Sequence, residues 1–333
     1  MSDWRITVPV FLFPGQGAQF TGMGIDLYEA DSDGKAGVRD LFETASGLLG
    51  KDIRDLLNAD GDTLKRTDVS QVAITVASLA AFRTLASRGI KPTACAGFSL
   101  GEYPALAVSG VITEAEAIRL TIERGRIMQE VADEIAASAK AESAGDEAAL
   151  PGMSAIIGLT PAQVDEVIAS LGGGTAGKIK LYGANYNSPL QTVISGTAEA
   201  LTAAEAAFKA AGARRALRLK VAGPFHSPLM AKAGERFAAV LDPVAFKDPV
   251  LPLFSNVTGK RVSLGAEAKT CAVAHISNPV RWTEEEATIA ASVINGNEEP
   301  ALVEVGPGRV LSGLWADSKL AGVCKPYAEI LGA

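Results

Sequence analysis

A chain of 333 residues with 48% hydrophobic and 21% charged side chains can bury a sizeable core and is not a disordered chain. Its formal net charge of −7 argues against nucleic-acid binding, and it holds no continuous apolar run of the roughly eighteen residues a membrane span needs. Cys95, Cys271 and Cys324 are widely separated and form no CxxC pair, so neither a disulfide framework nor a bound metal is expected.

Val8 to Phe13 reads as a first strand, a short apolar run ended by Pro14-Gly15. No basic region followed by a long apolar core opens the chain, so the cytoplasm is the expected location. Val69 to Ser87 reads as a long helix with Val72, Val76, Leu79, Ala80 and Phe82 on its buried face, stopped by Gly89. Thr93 to Gly97 reads as a strand and Gly101 to Val108 as a helix, an alternation that suggests a parallel α/β sheet. Glu114 to about Ala137 is helical by spacing. Ser138 to Ala149, rich in Ala, Glu, Ser and Gly, reads as a surface loop or a frayed helix extension.

After Pro151 the pattern changes. Strands are expected at Met153 to Leu159, Lys178 to Asn185, Gln191 to Ser195 and Arg215 to Val221, with helices at Pro161 to Leu171 and Thr197 to Ala211. That β-α-β-β-α-β order is the ferredoxin-like one. A small subdomain is therefore expected over 132–220, inserted into a large domain made of 1–131 and 221–333. The large domain resumes with strands near Pro252 to Asn256 and Ala301 to Val305.

Gly97-Phe98-Ser99-Leu100-Gly101 fits G-x-S-x-G and lies between an expected strand and an expected helix, the context in which that motif presents a nucleophilic serine. A bare five-residue match is also the composition of an ordinary turn. Phe13 to Gln19, FPGQGAQ, is a glycine-rich turn. Its spacing fits neither a dinucleotide fingerprint, since Phe20 stands where the third glycine should fall, nor a Walker A loop. A plain turn or a donor loop remains, in which the Gln16 N–H completes an oxyanion hole.

A serine needs a base, and the chain has two histidines, His226 in GPFHSP and His275 in AHISNP. Spacing leaves both open to a merely structural role. Arg124 stands mid-helix, as a solvated cation or as a two-pronged grip on a carboxylate.

These residues fall within a pattern that resembles the malonyl-CoA:acyl-carrier-protein transacylases and the acyltransferase domains of fatty-acid and polyketide synthases. The matching stretches, in family order, are FPGQGAQFTGMG (Phe13 to Gly24), GFSLGEYPALAVSG (Gly97 to Gly110), ERGRIMQE (Glu123 to Glu130), NYNSPLQTVISG (Asn185 to Gly196), GPFHSPLM (Gly223 to Met230), NPVRWTE (Asn278 to Glu284) and EVGPGRVLSGL (Glu304 to Leu314). They span nearly the whole chain.

The resemblance implies an α/β-hydrolase-like core with a mainly parallel sheet and a ferredoxin-like small subdomain. It implies Ser99 as nucleophile, His226 as base, and the Gln16 and Leu100 backbone N–H groups as the oxyanion hole. It implies that Arg124 grips the malonyl carboxylate and that the main-chain carbonyl of His275, where relatives often have Gln, orients His226. Asn185 and Asn187 line the same region in relatives, and Phe225 resembles a malonyl-selective pattern that crowds an α-methyl group. Phe98 departs from the usual GHSxG. The implied partners are malonyl-CoA and a phosphopantetheinylated acyl carrier protein, with no cofactor, nucleic acid or membrane. Arg214, Arg215, Arg218 and Lys220 form the densest basic cluster, either a docking patch for an acidic carrier or a solvated strand and turn. An esterase or thioesterase shares G-x-S-x-G, and a scaffold could keep the fold without chemistry.

Overall fold

The computed structural model describes residues 9–143, 146, 149–293 and 301–332. Among them ten strands follow in chain order: β1 Val10–Phe13, β2 Ala94–Gly97, β3 Gly152–Ile157, β4 Leu181–Ser188, β5 Gln191–Gly196, β6 Arg215–Arg218, β7 Leu253–Ser255, β8 Lys260–Val262, β9 Ala301–Glu304 and β10 Val323–Pro326. Six form one sheet in the order β10-β9-β1-β2-β7-β8, parallel except for β8 at the edge. The architecture is α/β with a mixed, mostly parallel sheet. Val8, expected to open β1, lies outside the described residues.

Side chains alternate faces along a strand, so a parallel sheet needs cover on both sides. Phe11, Phe13 and Cys95 enter the larger core cluster, while Val10, Leu12, Ala94 and Ala96 enter a second one with Trp282 and Trp315. The Thr67–Ser87 helix fills the first side. Every residue from Val69 to Ala81 is buried, and Phe82 is only half-buried. The expectation of one buried face therefore fails. The helix is rich in Ala, Ser and Thr, small enough for neighbours to close around it, as in a central core helix. By length and composition it could cross a membrane, yet 78% of that stretch is buried inside the fold.

The Glu114–Glu142 helix starts at a reciprocal Thr113–Glu116 capping box and runs past the expected end near Ala137. It takes in Ser138 to Glu142 of the segment read as loop or extension; 144, 145, 147 and 148 lie outside the described residues. Gly125 lets this helix approach the start of the Thr67–Ser87 helix, since a Cβ there would lie 2.8 Å from the Thr67 carbonyl oxygen.

Between β2 and β7 the chain forms a second sheet, β4-β5-β3-β6, in which every neighbouring pair is antiparallel. The Pro161–Ser170 and Ala198–Ala210 helices cover it, and Ile156, Val164, Ile168, Leu181, Ile194, Leu201 and Phe208 give it a core of its own. Two strand expectations shift. β4 covers Leu181–Ser188, not Lys178 to Asn185, because its register with β5 is set by the Pro189-Leu190 turn and runs from Ser188↔Gln191 back to Leu181↔Gly196. β6 stops at Arg218, not Val221: Arg218 pairs with Ser154, two residues from the start of β3 at Gly152, so Val221 would have no residue of β3 opposite it. Ala132, the expected start of the small unit, lies inside the long helix and packs in the larger core.

Candidate active site

β2 ends in Gly97 and turns sharply into the Glu102–Val108 helix through a single 3₁₀ turn at Ser99–Gly101. The glycines make the turn possible. A Cβ on Gly97 would lie 2.0 Å from the Gly101 backbone, and one on Gly101 would lie 2.0 Å from the Phe13 carbonyl oxygen. Ser99, caught between them, has φ +51°, a left-handed conformation costing an L-residue roughly 1–2 kcal/mol. Its Oγ projects into a cavity of about 330 Å³ between the two sheets.

Across that cavity His226 holds the Ser99 Oγ at 2.9 Å through Nε2. The other ring nitrogen, Nδ1, lies 3.0 Å from the His275 carbonyl oxygen and 3.3 Å from that of Asn278. A carbonyl can only accept, so Nδ1 carries the hydrogen and Nε2 presents its lone pair to the serine. Burial, and next the charge of Arg124, push the His226 pKa down to about 4, so its ring is neutral at pH 7. The His275 ring is fully buried, 5.3 Å from the His226 ring, and does not line the cavity.

Arg124 is 1% exposed, which rules out the solvated reading. Its Nη1 donates to Gln71 Oε1 at 2.7 Å, and its guanidinium lies 5.6 Å from the centre of the Tyr103 ring. The Nε and Nη2 groups are buried with no hydrogen-bond partner among the described residues. Buried polar groups are nearly always paired, so two orphaned donors on one guanidinium mark a place for an anion. Burial lowers the Arg124 pKa, but arginine starts far too high to lose its charge. Arg126, two residues on, is half-exposed and paired to Glu123 and Glu130.

Gln16, Asn185, Asn187 and Phe225 line the same cavity. A Cβ on Gly15 would lie 2.4 Å from the Phe98 carbonyl oxygen, so the FPGQ loop rests directly on the serine turn and brings Gln16 beside it. Leu100 N–H sits in the first turn after Ser99, where backbone donors lack helical partners. Asn187 Oδ1 is buried without a partner among the described residues. Phe98 packs edge-on against Trp282, with ring centres 5.4 Å apart, and walls the cavity with carbon where a histidine would present a polar ring.

Residue spacing did not disclose Gln71 or Asn256. Gln71 was visible only as an amide in a helix made mostly of apolar and small residues. Asn256 follows β7, and its side chain is fully buried against the serine turn.

Residues 10–173 match the acyl transferase domain family. A malonyl CoA-acyl carrier protein transacylase of Salmonella typhimurium is 39% identical over 306 residues, covering 91% of this chain and 90% of that protein. Among solved structures, an acyl carrier protein S-malonyltransferase from Vibrio cholerae superposes with a TM-score of 0.82 at 34% identity, over 95% of this chain and 96% of its own. A malonyl-transacylase in complex with a holo type II PKS acyl-carrier protein gives a TM-score of 0.83 at 35% identity, over 96% of each chain. Likeness of this extent in sequence and in structure places the chain in one group: it belongs to the malonyl CoA-acyl carrier protein transacylase family.

Proposed function

We propose that this protein transfers a malonyl group from malonyl-CoA to the phosphopantetheine thiol of an acyl carrier protein, in fatty-acid or polyketide biosynthesis. The observation that carries this reading is Arg124: a buried guanidinium with two unpaired donors in the same cavity as a Ser99–His226 hydrogen bond. A hydrolase of plain esters needs the pair but not the buried cation.

The mechanism is a two-step exchange. His226 Nε2 takes the Ser99 proton as Oγ attacks the malonyl thioester carbon. The Gln16 and Leu100 N–H groups receive the oxyanion, and the CoA thiolate leaves with the proton from the imidazolium. The carrier thiol then gives its proton to His226 and attacks the malonyl-serine, which restores Ser99. The His275 carbonyl keeps Nδ1 protonated and stabilises the imidazolium in each half. Arg124 holds the malonyl carboxylate throughout, flanked by the Asn185 and Asn187 amides, and Phe225 limits bulk at the α-carbon.

The same reading takes the small unit, assigned to 132–220, as ferredoxin-like and the 1–131 and 221–333 parts as an α/β-hydrolase-like core. The β-α-β-β-α-β order and the β4-β5-β3-β6 arrangement support the first, and the strand–serine–helix turn on a mostly parallel sheet supports the second. A cytoplasmic location belongs with it.

The test is to incubate purified protein with malonyl-CoA, read the malonyl adduct by intact mass, then add holo carrier protein. Transfer should outpace release of free malonate. Faster release than transfer would identify a thioesterase, and no adduct at all would leave a non-catalytic scaffold.

A further inference from the structure

The serine turn is held by a side chain 157 positions further along the chain. Asn256 Oδ1 accepts from the Ser99 N–H at 2.5 Å, and its Nδ2 donates to the Gly97 carbonyl at 2.6 Å. One carboxamide thus closes both backbone groups that the left-handed Ser99 leaves outside strand and helix. The amide is itself fixed. Nδ2 also donates to Glu285 Oε2 at 2.6 Å, and the Asn256 N–H donates to Glu102 Oε1 at 2.5 Å. All these side chains are buried.

His275 joins this assembly to the base. Its carbonyl oxygen accepts from His226 Nδ1, while its own Nε2 lies 3.3 Å from Asn256 Oδ1. Since Oδ1 is an acceptor, Nε2 of His275 is the donor. One residue therefore touches the base through its backbone and the turn-holding amide through its ring. Burial raises the Glu102 pKa to about 7, so near neutral pH it is shared between its two forms, and pushes Glu285 well above the ordinary range, towards its uncharged form.

We propose that Asn256 and the His275 ring are positioning residues that form a clamp fixing the Ser99 backbone relative to His226, so that Oγ is held in line with Nε2. The proposal rests on the reading of Ser99 as nucleophile and His226 as base. Neither residue lines the active cavity, so the clamp acts on the rate of acylation and not on binding. A purely structural role would lower stability and leave the folded fraction fully active.

The test is the single-turnover rate of malonyl-enzyme formation, by intact mass, on variants whose folded fraction is measured. Asn256→Asp keeps size and the acceptor to Ser99 N–H but loses the donor to Gly97 and Glu285. It should slow acylation about a hundredfold, the scale expected from a displaced reacting group. KM for malonyl-CoA should stay within about twofold, as expected when uniform binding is intact. Should Asn256→Asp not fold, position 275 decides. His275→Leu keeps only the carbonyl and should slow acylation about tenfold; His275→Gln keeps the carbonyl and a side-chain donor and should recover most of that loss. Equal rates for Gln and Leu at 275, or a wild-type rate in folded Asn256→Asp, overturn the clamp. Ser99→Ala separates the two readings: an adduct persisting there overturns the nucleophile assignment and the clamp with it.

Discussion

Ser99 and His226 face each other at 2.9 Å, and both hold left-handed backbones, with φ of +51° and +54°. Among the described residues only Lys319 joins them as a non-glycine with positive φ. Strain at both ends of one hydrogen bond persists only where surroundings over-determine it. Here the two glycines and Asn256 fix one end. At the other, Ser195 Oγ donates to the Phe225 carbonyl at 2.5 Å, Ser227 Oγ to that of Pro224 at 2.6 Å, and Nδ1 is held by the His275 carbonyl.

The strain makes stability and activity at Ser99 move in opposite directions. Ser99→Ala and Ser99→Gly should both lose the malonyl adduct and lower transfer by roughly 10⁴–10⁶-fold, as nucleophile deletions do. Ser99→Gly should be the more stable of the two by about 1 kcal/mol in chemical denaturation, since glycine adopts positive φ without the Cβ clash. An Ala variant as stable as the Gly variant would mean that the turn is not strained.

The pH dependence of acylation should report the buried base. An ordinary histidine would give a midpoint near pH 6.5; His226, held down by burial and Arg124, should put it near 4. The same shift acts on stability. The unfolded chain binds a proton between about pH 4 and 6.5 that the folded chain refuses, so stability is full above 6.5 and lost as pH falls through 4. Rapid acylation after a pH jump, with folding followed in parallel, separates the two effects. A kinetic midpoint at 6.5 would show that the imidazole is solvated in the working enzyme.

Stability at alkaline pH should respond to Glu286. Its fully buried carboxyl accepts from Trp282 Nε1 at 2.8 Å, and burial raises its pKa to about 8. The folded chain then holds a proton that the unfolded chain releases above pH 4.5. This stabilisation is full at low pH and is lost as pH rises through 8. Glu286→Gln keeps the acceptor for the indole and removes the titration. The variant should gain on the wild type steadily from pH 5 to 8.5 in thermal melts, and a pH-independent gap would assign the alkaline loss to other groups.

The strand–serine–helix order and the second unit were legible because short-range rules govern them: turn glycines, capping boxes and alternating apolar runs. Pairing length was not. How far β6 can run is limited by the start of its partner β3, a fact held in residues more than fifty positions away. The all-round burial of the Thr67–Ser87 helix was hidden for a similar reason, since small residues read as weakly polar until neighbours close on them. Likewise Asn256 looked like a turn residue after a strand. Its work is done on Gly97 and Ser99, which no local spacing connects to it.

Carrier docking should depend on the basic cluster. Arg214, Arg215, Arg218 and Lys220 are all exposed along and after β6, the edge strand of the second sheet, and Lys220 also lines the active cavity. Cationic side chains on an edge strand also serve simply to prevent edge pairing. The two roles part under charge reversal. Changing Arg214 and Arg215 to Glu should raise the carrier-protein KM several-fold at low salt, less at high salt, and leave self-acylation by malonyl-CoA intact. An unchanged KM at low salt would leave the cluster as edge protection.

Arg124 carries the sharpest claim about substrate choice. Malonyl differs from acetyl by one carboxylate, and the buried guanidinium has two free donors to meet it. Removing one partner of such a pair costs roughly 2–5 kcal/mol, because the other charge is left unpaired in a desolvated site. At about 1.4 kcal/mol per decade, Arg124→Ala should lower kcat/KM for malonyl-CoA by roughly one and a half to three and a half decades. Acetyl-CoA has no carboxylate to lose, so its use should hold steady or rise. Arg124→Lys should recover only part of the loss, since an ammonium cannot make a two-pronged contact and cannot also keep the flat bond to Gln71 beneath Tyr103. The rival role is structural: Arg124 bridges two packed helices through Gln71, and losing that bridge would depress both substrates together with thermal stability. Gln71→Leu isolates the bridge, because it leaves the guanidinium in place while removing its hydrogen bond to the neighbouring helix. If the carboxylate contact dominates, Gln71→Leu should cost malonyl transfer far less than Arg124→Ala. Parallel losses for malonyl and acetyl in folded Arg124→Ala would sink the contact.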